Sequence, residues 1–341
     1  MKRLTLSIVV VCIFLLSIFL MSSILEAAPK EKNWNLRFAT HLPPNDYMTL
    51  TLPWWGKEAE KRTGGRVKAT MFPGGALGKG QEYTEMIRKG AIEGAMLDNN
   101  LQVGELPMLD IITLPFFISS PRMVMDVLYQ LYYEGLLPGL NEFKVLWFQP
   151  LQQNLLFTKK KRVSEMGDIK GLKIKTMGQA AEFLKSIGGV PVPMPTADFA
   201  MALSQGTVDG TITAFNAVQL FKWYESLESV LVNPITSMAN LFAMSKDIWN
   251  SFPPDIQYTL EVLNNEARYL TLSNLCKTIG IPSEAEAKKI GLQKTSLSPG
   301  ELIAWKQKAQ PIIDKWVTES EVKGLPAKKA YELVKRTTEG W

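Results

Sequence analysis

The sequence has 341 residues, with 38 Lys and Arg against 33 Asp and Glu, one histidine and two cysteines. A formal charge of +5 over that length is too mild to specify a nucleic-acid or membrane partner. With His41 as the lone histidine, zinc sites built from His and Cys are excluded, and any Ser-His or Cys-His catalytic pair would have to use that one residue.

The N-terminus carries Lys2 and Arg3, then an apolar run from Leu4 to Met21 broken by Thr5, Ser7 and Ser17, then Leu25-Glu26-Ala27-Ala28-Pro29. That order predicts a secretory signal peptide over residues 1–27. Cleavage is placed after Ala27, because proline directly following the scissile bond is unfavourable. An uncleaved anchor is the alternative, since the run is nearly long enough to span a bilayer. Cys12 lies inside the run and is followed by Ile13, a poor context for lipid attachment. Beyond the leader only Cys276 remains, so no intramolecular disulfide is expected and stability must come from apolar burial. A hydrophobic content of 46% can supply it, divided between two lobes.

Strands and helices then alternate. Leu36–Ala39 reads as a strand, 49–62 as a helix stopped by Thr63-Gly64-Gly65, and Val67–Met71 as a second strand. After the turn Phe72-Pro73-Gly74-Gly75, Gln81–Lys89 is a short amphipathic helix and Ala91–Leu97 a strand ending at Asp98. This βαβαβ order predicts a largely parallel sheet covered by helices on both faces. The rhythm restarts with strand candidates at 143–148, 154–158, 171–176, 190–192 and 208–213, interleaved with helices at 179–187 and 197–203. Further on, Ile256, Leu260, Leu263, Ala267 and Leu270 recur at spacings of four and three, which predicts a long helix with one apolar stripe. The remainder reads as helical, with one strand near Leu292. Two α/β lobes joined by several crossings place the ligand site in the cleft between them.

Several local features carry less than their appearance suggests. Gly74-Gly75-Ala76-Leu77-Gly78-Lys79-Gly80 fails as a phosphate loop, because Pro73 stands where the first glycine belongs and Gly80 replaces Ser or Thr. The run Lys159-Lys160-Lys161-Arg162 reads as a solvated turn, with no aromatic residue interleaved. Trp54-Trp55 and Trp223-Tyr224 read as core. His41, in the rigid context His41-Leu42-Pro43-Pro44, is either a structural loop residue or a ligand contact. No spaced acidic loop suggests calcium, and neither a metal nor a cofactor is expected.

Taken together, several segments resemble the solute receptors of tripartite ATP-independent periplasmic (TRAP) transporters, the DctP-type family. They are Arg62-Thr63-Gly64-Gly65-Arg66-Val67, Phe72-Pro73-Gly74-Gly75 with Leu77-Gly78, and Leu114-Pro115-Phe116-Phe117. Asp168-Ile169-Lys170-Gly171-Leu172-Lys173-Ile174, Pro191-Val192-Pro193-Met194-Pro195 and 202–210 follow, with Tyr224-Glu225 after them. Each is weak alone, and their order spans nearly the whole chain beyond the leader.

The resemblance implies a two-lobe α/β fold like that of type II periplasmic binding proteins, with hinge strands and a long connecting helix. The expected division is 28–153 plus about 242–282 for lobe I, and 154–241 plus about 283–341 for lobe II. It also implies a periplasmic, non-enzymatic receptor that encloses a small polar solute, an organic acid by default, and delivers it to TRAP permease subunits. The family's main contact, an arginine that clamps a carboxylate, is represented here by Lys175. Lysine is a point charge without the planar fork. The resemblance therefore implies either a substitute acid anchor or a ligand lacking an acid group. Other implied contacts are His41, Asp98, Thr196 and Thr213, with Phe215 and Asn216 close enough to share the role of Thr213. Gln153 and Asn154 stand as amide replacements for a second basic contact. Two rival readings are a ligand sensor for a membrane signalling protein and an exported hydrolase or lyase using carboxylates such as Asp98, although no second acid-base group converges with Asp98 in the sequence.

Overall fold

A computed structural model describes residues 32–44, 46–99, 101–102, 104–277 and 280–339. The expected signal peptide, its cleavage site and Cys12 lie outside the described residues. Among those residues no helix is long and apolar enough to cross a membrane.

Among the described residues, eleven strands form two sheets. The first is built from β1 (Trp34–Ala39), β2 (Val67–Phe72), β3 (Gly94–Asp98), β4 (Phe143–Pro150) and β10 (Ala239–Ser245), in the order β2-β1-β3-β10-β4. The second holds β5 (Asn154–Thr158), β6 (Lys173–Lys175), β7 (Val190–Pro191), β8 (Gly210–Ala214), β9 (Ser229–Thr236) and β11 (Gln293–Thr295), in the order β11-β9-β5-β8-β6-β7. Strands β1, β2 and β3 pair in parallel, as the alternating order predicts, and so do β6, β7 and β8. The antiparallel members arise where the chain passes between sheets. It leaves the first sheet from β4 into β5 and returns from β9 into β10, which inserts between β3 and β4.

Helices cover both faces of each sheet. We number them α1 (Thr51–Arg62), α2 (Tyr83–Arg88), α3 (Pro121–Tyr133), α4 (Gly178–Ser186), α5 (Phe199–Ser204), α6 (Phe215–Leu220), α7 (Lys246–Asn250), α8 (Pro254–Lys277), α9 (Glu284–Lys289), α10 (Pro299–Val322) and α11 (Ala327–Glu339). Alternation along the strands sends Trp34, Leu36 and Phe38 to a core shared with α1 and α8, while Ala39, Ala95 and Leu97 enter another with α3. Helix α1 approaches β2 so closely that a Cβ on Gly56 would meet the Ala69 carbonyl oxygen at 2.9 Å. The predicted stripe on α8 is real, since Ile256, Leu260, Leu263 and Ala267 are all fully buried. Leu270 is only partly so.

Two parts of the chain differ from expectation. Strands β9 and β10 were not foreseen, because Ser229–Thr236 contains Asn233 and Pro234 and shows no clean alternation. The C-terminal helices do not side wholly with the second sheet. Trp305 and Ala309 of α10 pack in the second-sheet core, whereas Ile313 and Trp316 pack in the first-sheet core. Helix α11 follows into the first-sheet core through Ala327, Ala330, Leu333 and Val334. The helix that connects the two bodies is therefore α10, not α8. Pro311 sits at the change-over and cannot donate to the Gln307 carbonyl, so the helical ladder has a gap there.

The segment Leu114-Pro115-Phe116-Phe117 fastens the bodies a second time. Leu114 is in the first core and Phe117 stacks on Tyr331 of α11 at 5.3 Å, while Phe116 turns into the second core against Phe183 and Trp305. Phe116 holds a left-handed backbone with φ of 56°, and its N–H donates to the Ile235 carbonyl at 2.8 Å. Such a conformation is costly for a bulky residue and persists because both neighbours are anchored.

Candidate functional site

A cavity of about 410 Å³ opens between the two bodies. The first body contributes Asp110 and Thr113, the crossing segment Met238, and the second body the rest of the wall. That size suits a small solute.

Lys175 lines this cavity. Ile174 points into the second-sheet core, so strand alternation turns Lys175 to the other side. The strand end is held by the Thr211 hydroxyl, which donates to the Lys175 carbonyl at 3.2 Å. The ammonium nitrogen lies 6.0 Å from the ring centre of Phe199 and 5.9 Å from that of Trp223. No carboxylate among the described residues pairs with it, and burial pulls its pKa below the ordinary lysine value. The site thus holds a half-buried cation with no directly paired carboxylate; the other charged residue on the wall is Asp110.

Next to it, the chain turns into α4 through Gly178, whose φ of +61° suits glycine. Residues 176–180 all line the cavity. The residue preceding the helix, Met177, supplies no side-chain cap, and the first turn holds no acid. The positive end of the helix therefore adds to the field of Lys175.

Asn154, Thr196 and Thr213, expected as ligand contacts, line the same wall as Lys175. The Asn154 amide donates to the Thr236 hydroxyl at 2.9 Å. The other expected residues lie elsewhere. Gln153 is buried in the crossing, where its amide donates to Ser237 Oγ at 3.4 Å and the Ile118 carbonyl at 3.5 Å. The backbone N–H of Asn216 donates to Gln152 Oε1 at 3.0 Å. The expected contact at Phe215 is corrected: its ring is fully buried and stacks on Phe157 at 6.2 Å, so it packs the core of the second sheet and cannot face a ligand.

His41 and Asp98 meet each other rather than Lys175. They follow or end the neighbouring strands β1 and β3, with Nε2 to Oδ2 at 3.7 Å. His41 also borders the glycine turn at Gly74, Gly75 and Gly80. Burial lowers its pKa, partly offset by the charges of Asp98 and Asp46. Among the described residues, no group of three or more His, Cys, Asp or Glu gathers to hold a metal ion.

Sequence reasoning missed Asp110, Thr113, Thr176, Gln179 and Thr236. Thr176 and Gln179 had a signal, being next to Lys175 and in the first turn of α4. Asp110 had none, since it sits in a short helical segment between apolar residues.

Residues 38–320 match the family model DctP, described as bacterial extracellular solute-binding protein, family 7. A solute-binding protein of Verminephrobacter eiseniae is 28% identical over 213 residues, which is 61% of this chain and 64% of the relative. The 2,3-diketo-L-gulonate-binding periplasmic protein YiaO of Escherichia coli is 24% identical, over 68% of this chain and 72% of that protein. A solved TRAP periplasmic solute-binding protein from Ochrobactrum anthropi superposes with a TM-score of 0.82 at 21% identity, covering 92% of this chain and 98% of that one. The two-body α/β arrangement is thus similar to that of TRAP solute-binding proteins.

Proposed function

The chain belongs to family 7 of the bacterial extracellular solute-binding proteins, and on that premise we propose that it is a periplasmic receptor for a small organic acid, which it delivers to a TRAP-type membrane permease. The observation that carries the acid is Lys175, a desolvated ammonium beside the uncapped start of α4. A carboxylate placed there would gain a charge-assisted hydrogen bond and the favourable end of the helix dipole. Asn154, Thr196 and Thr213 then orient the remainder of the solute. One relative is named for the binding of a sugar acid, in keeping with this reading.

The moving parts in this proposal are the two sheets with their helices. They rotate about the paired crossings at 151–153 and 237–238, so that the first body closes on a ligand already seated on Lys175. Closure removes water and strengthens each polar contact inside. His41 and Asp98, at strand ends of the first sheet, are the expected contacts that closure would bring toward the ligand. In this proposal residues 1–27 direct export.

A thermal-shift screen against organic acids, polyols, amines and amino acids tests the reading. A ligand at about one hundred times its Kd stabilises the chain by roughly 2.7 kcal/mol. An acid should raise Tm in the natural chain and leave it unchanged in Lys175→Ala. Shifts confined to neutral or cationic compounds, and kept in Lys175→Ala, would overturn the assignment of an acid.

A further inference from the structure

We infer that Asp110 reads the end of the ligand remote from its carboxylate, and that this end carries hydroxyl groups, so that the solute is an open-chain hydroxy acid. This rests on the reading that Lys175 holds an acid. Asp110 lies in the short helical segment Pro107–Thr113. Its neighbours Met108, Leu109, Ile111 and Ile112 are all buried in the first-sheet core, which pins the segment and leaves Asp110 on the cavity wall. The Asn99 amide donates to Asp110 Oδ1 at 2.8 Å, and the Thr113 hydroxyl donates to the Asp110 carbonyl at 2.8 Å. No described residue donates to Oδ2.

Asp110 is half-buried on the cavity wall, where a ligand donor can replace water. Burial raises its pKa, against the opposing effects of the Asn99 hydrogen bond and the charge of Lys323. With no described donor on Oδ2, a ligand hydroxyl is a partner that fits there. A second ligand carboxylate would meet like charge there, which disfavours dicarboxylates. None of the described residues lining the cavity is aromatic, and the Phe199 and Trp223 rings near Lys175 are buried, so neither an aromatic acid nor a sugar ring finds an open face to stack on. It has five threonines instead, with Thr113 beside Asp110 and Thr213 on the opposite body. Hydroxyls both donate and accept, and a flexible chain of them matches such a wall.

Titration calorimetry of the purified chain with D-gluconate, hexanoate and 6-aminohexanoate separates the terms. The natural chain should prefer gluconate to hexanoate by about tenfold or more, the scale of one hydrogen bond to a charged group. Asp110→Ala should shrink that preference to roughly threefold or less by weakening gluconate, with Asp110→Asn falling between and melting temperatures confirming that both variants fold. Lys175→Ala should weaken both acids alike. Binding that depends on Lys175 with a preference untouched by Asp110→Ala would overturn this inference alone. Tightest binding of 6-aminohexanoate, lost in Asp110→Ala, would overturn the hydroxyl class in favour of an ammonium. Absence of binding by all three acids would overturn both this inference and the acid reading it rests on.

Discussion

His41 and Lys175 occupy corresponding places in the two sheets, each at the C-terminal end of a strand with a parallel neighbour. Burial pulls both bases below their ordinary pKa values. The difference lies in what surrounds them. His41 has Asp98 at 3.7 Å and feels Asp46 as well, so its electrostatics are settled within the first body. Lys175 has no paired carboxylate among the described residues and lies about 6 Å from two ring faces. A desolvated base with acids nearby has its charge balanced locally, although the His41 Nδ1 is buried without a partner, whereas a base without a paired acid is stabilised by an incoming anion. The same backbone location thus yields a self-contained pair in one body and a receptor group in the other.

Charge reversal breaks the comparison most severely. Lys175→Glu should weaken acid binding by more than about a hundredfold in calorimetry, since it removes the cation and installs a repelling charge. Retained affinity would show that the anchor lies elsewhere.

Lys175→Met tests the desolvation cost itself. The folded-state pKa of Lys175 lies below the unfolded value of 10.5. The unfolded chain therefore holds this proton more tightly, and the cost is fully present below the folded pKa and fades as pH rises toward 10.5. Urea melts of the unliganded chain should show stability rising across that alkaline window. The Met variant should be more stable at neutral pH and lack this rise. Acid affinity in the natural chain should fall over the same window as the ammonium loses its proton.

Asn154→Ala removes one neutral hydrogen-bonding group and should weaken the acid roughly fivefold, within the range of a single such bond. The smallest effect belongs to the other strand end. His41→Asn should change acid affinity by about twofold at most, because the lowered pKa leaves the imidazole neutral and any contact made on closure is a single neutral hydrogen bond that Asn can also make. The folded pKa of His41 lies below 6.5, so the natural chain should lose stability as pH falls from 6.5 toward that value. The Asn variant should not show that loss, which chemical melts at a few acidic pH values would reveal.

How far the sequence could be read depended on whether a feature was local. The α/β rhythm and the α8 stripe follow from periodicity, whereas the placing of Lys175, Asn154, Thr196 and Thr213 on one wall could be expected only through the family resemblance. Strands β9 and β10 escaped because their pairing is set by partners far along the chain, not by alternation of their own residues. Phe215 was misjudged because proximity in sequence to Thr213 does not fix direction: helix α6 begins at Phe215 and turns the ring into the core. Asp110 was invisible because its neighbours are apolar, and only the folded chain shows that they bury themselves and leave the acid on the wall.

Helix α10 has a thermodynamic consequence. It carries Trp305 and Ala309 in one core and Ile313 and Trp316 in the other, so melting either core strips apolar surface from a rod that the other also needs. Two bodies joined only by extended strands would be free to unfold one after the other. Joined by a shared helix, they should unfold as one cooperative unit, with a single calorimetric transition whose enthalpy matches the van't Hoff value. A ligand held mainly by the second body then protects the first as well.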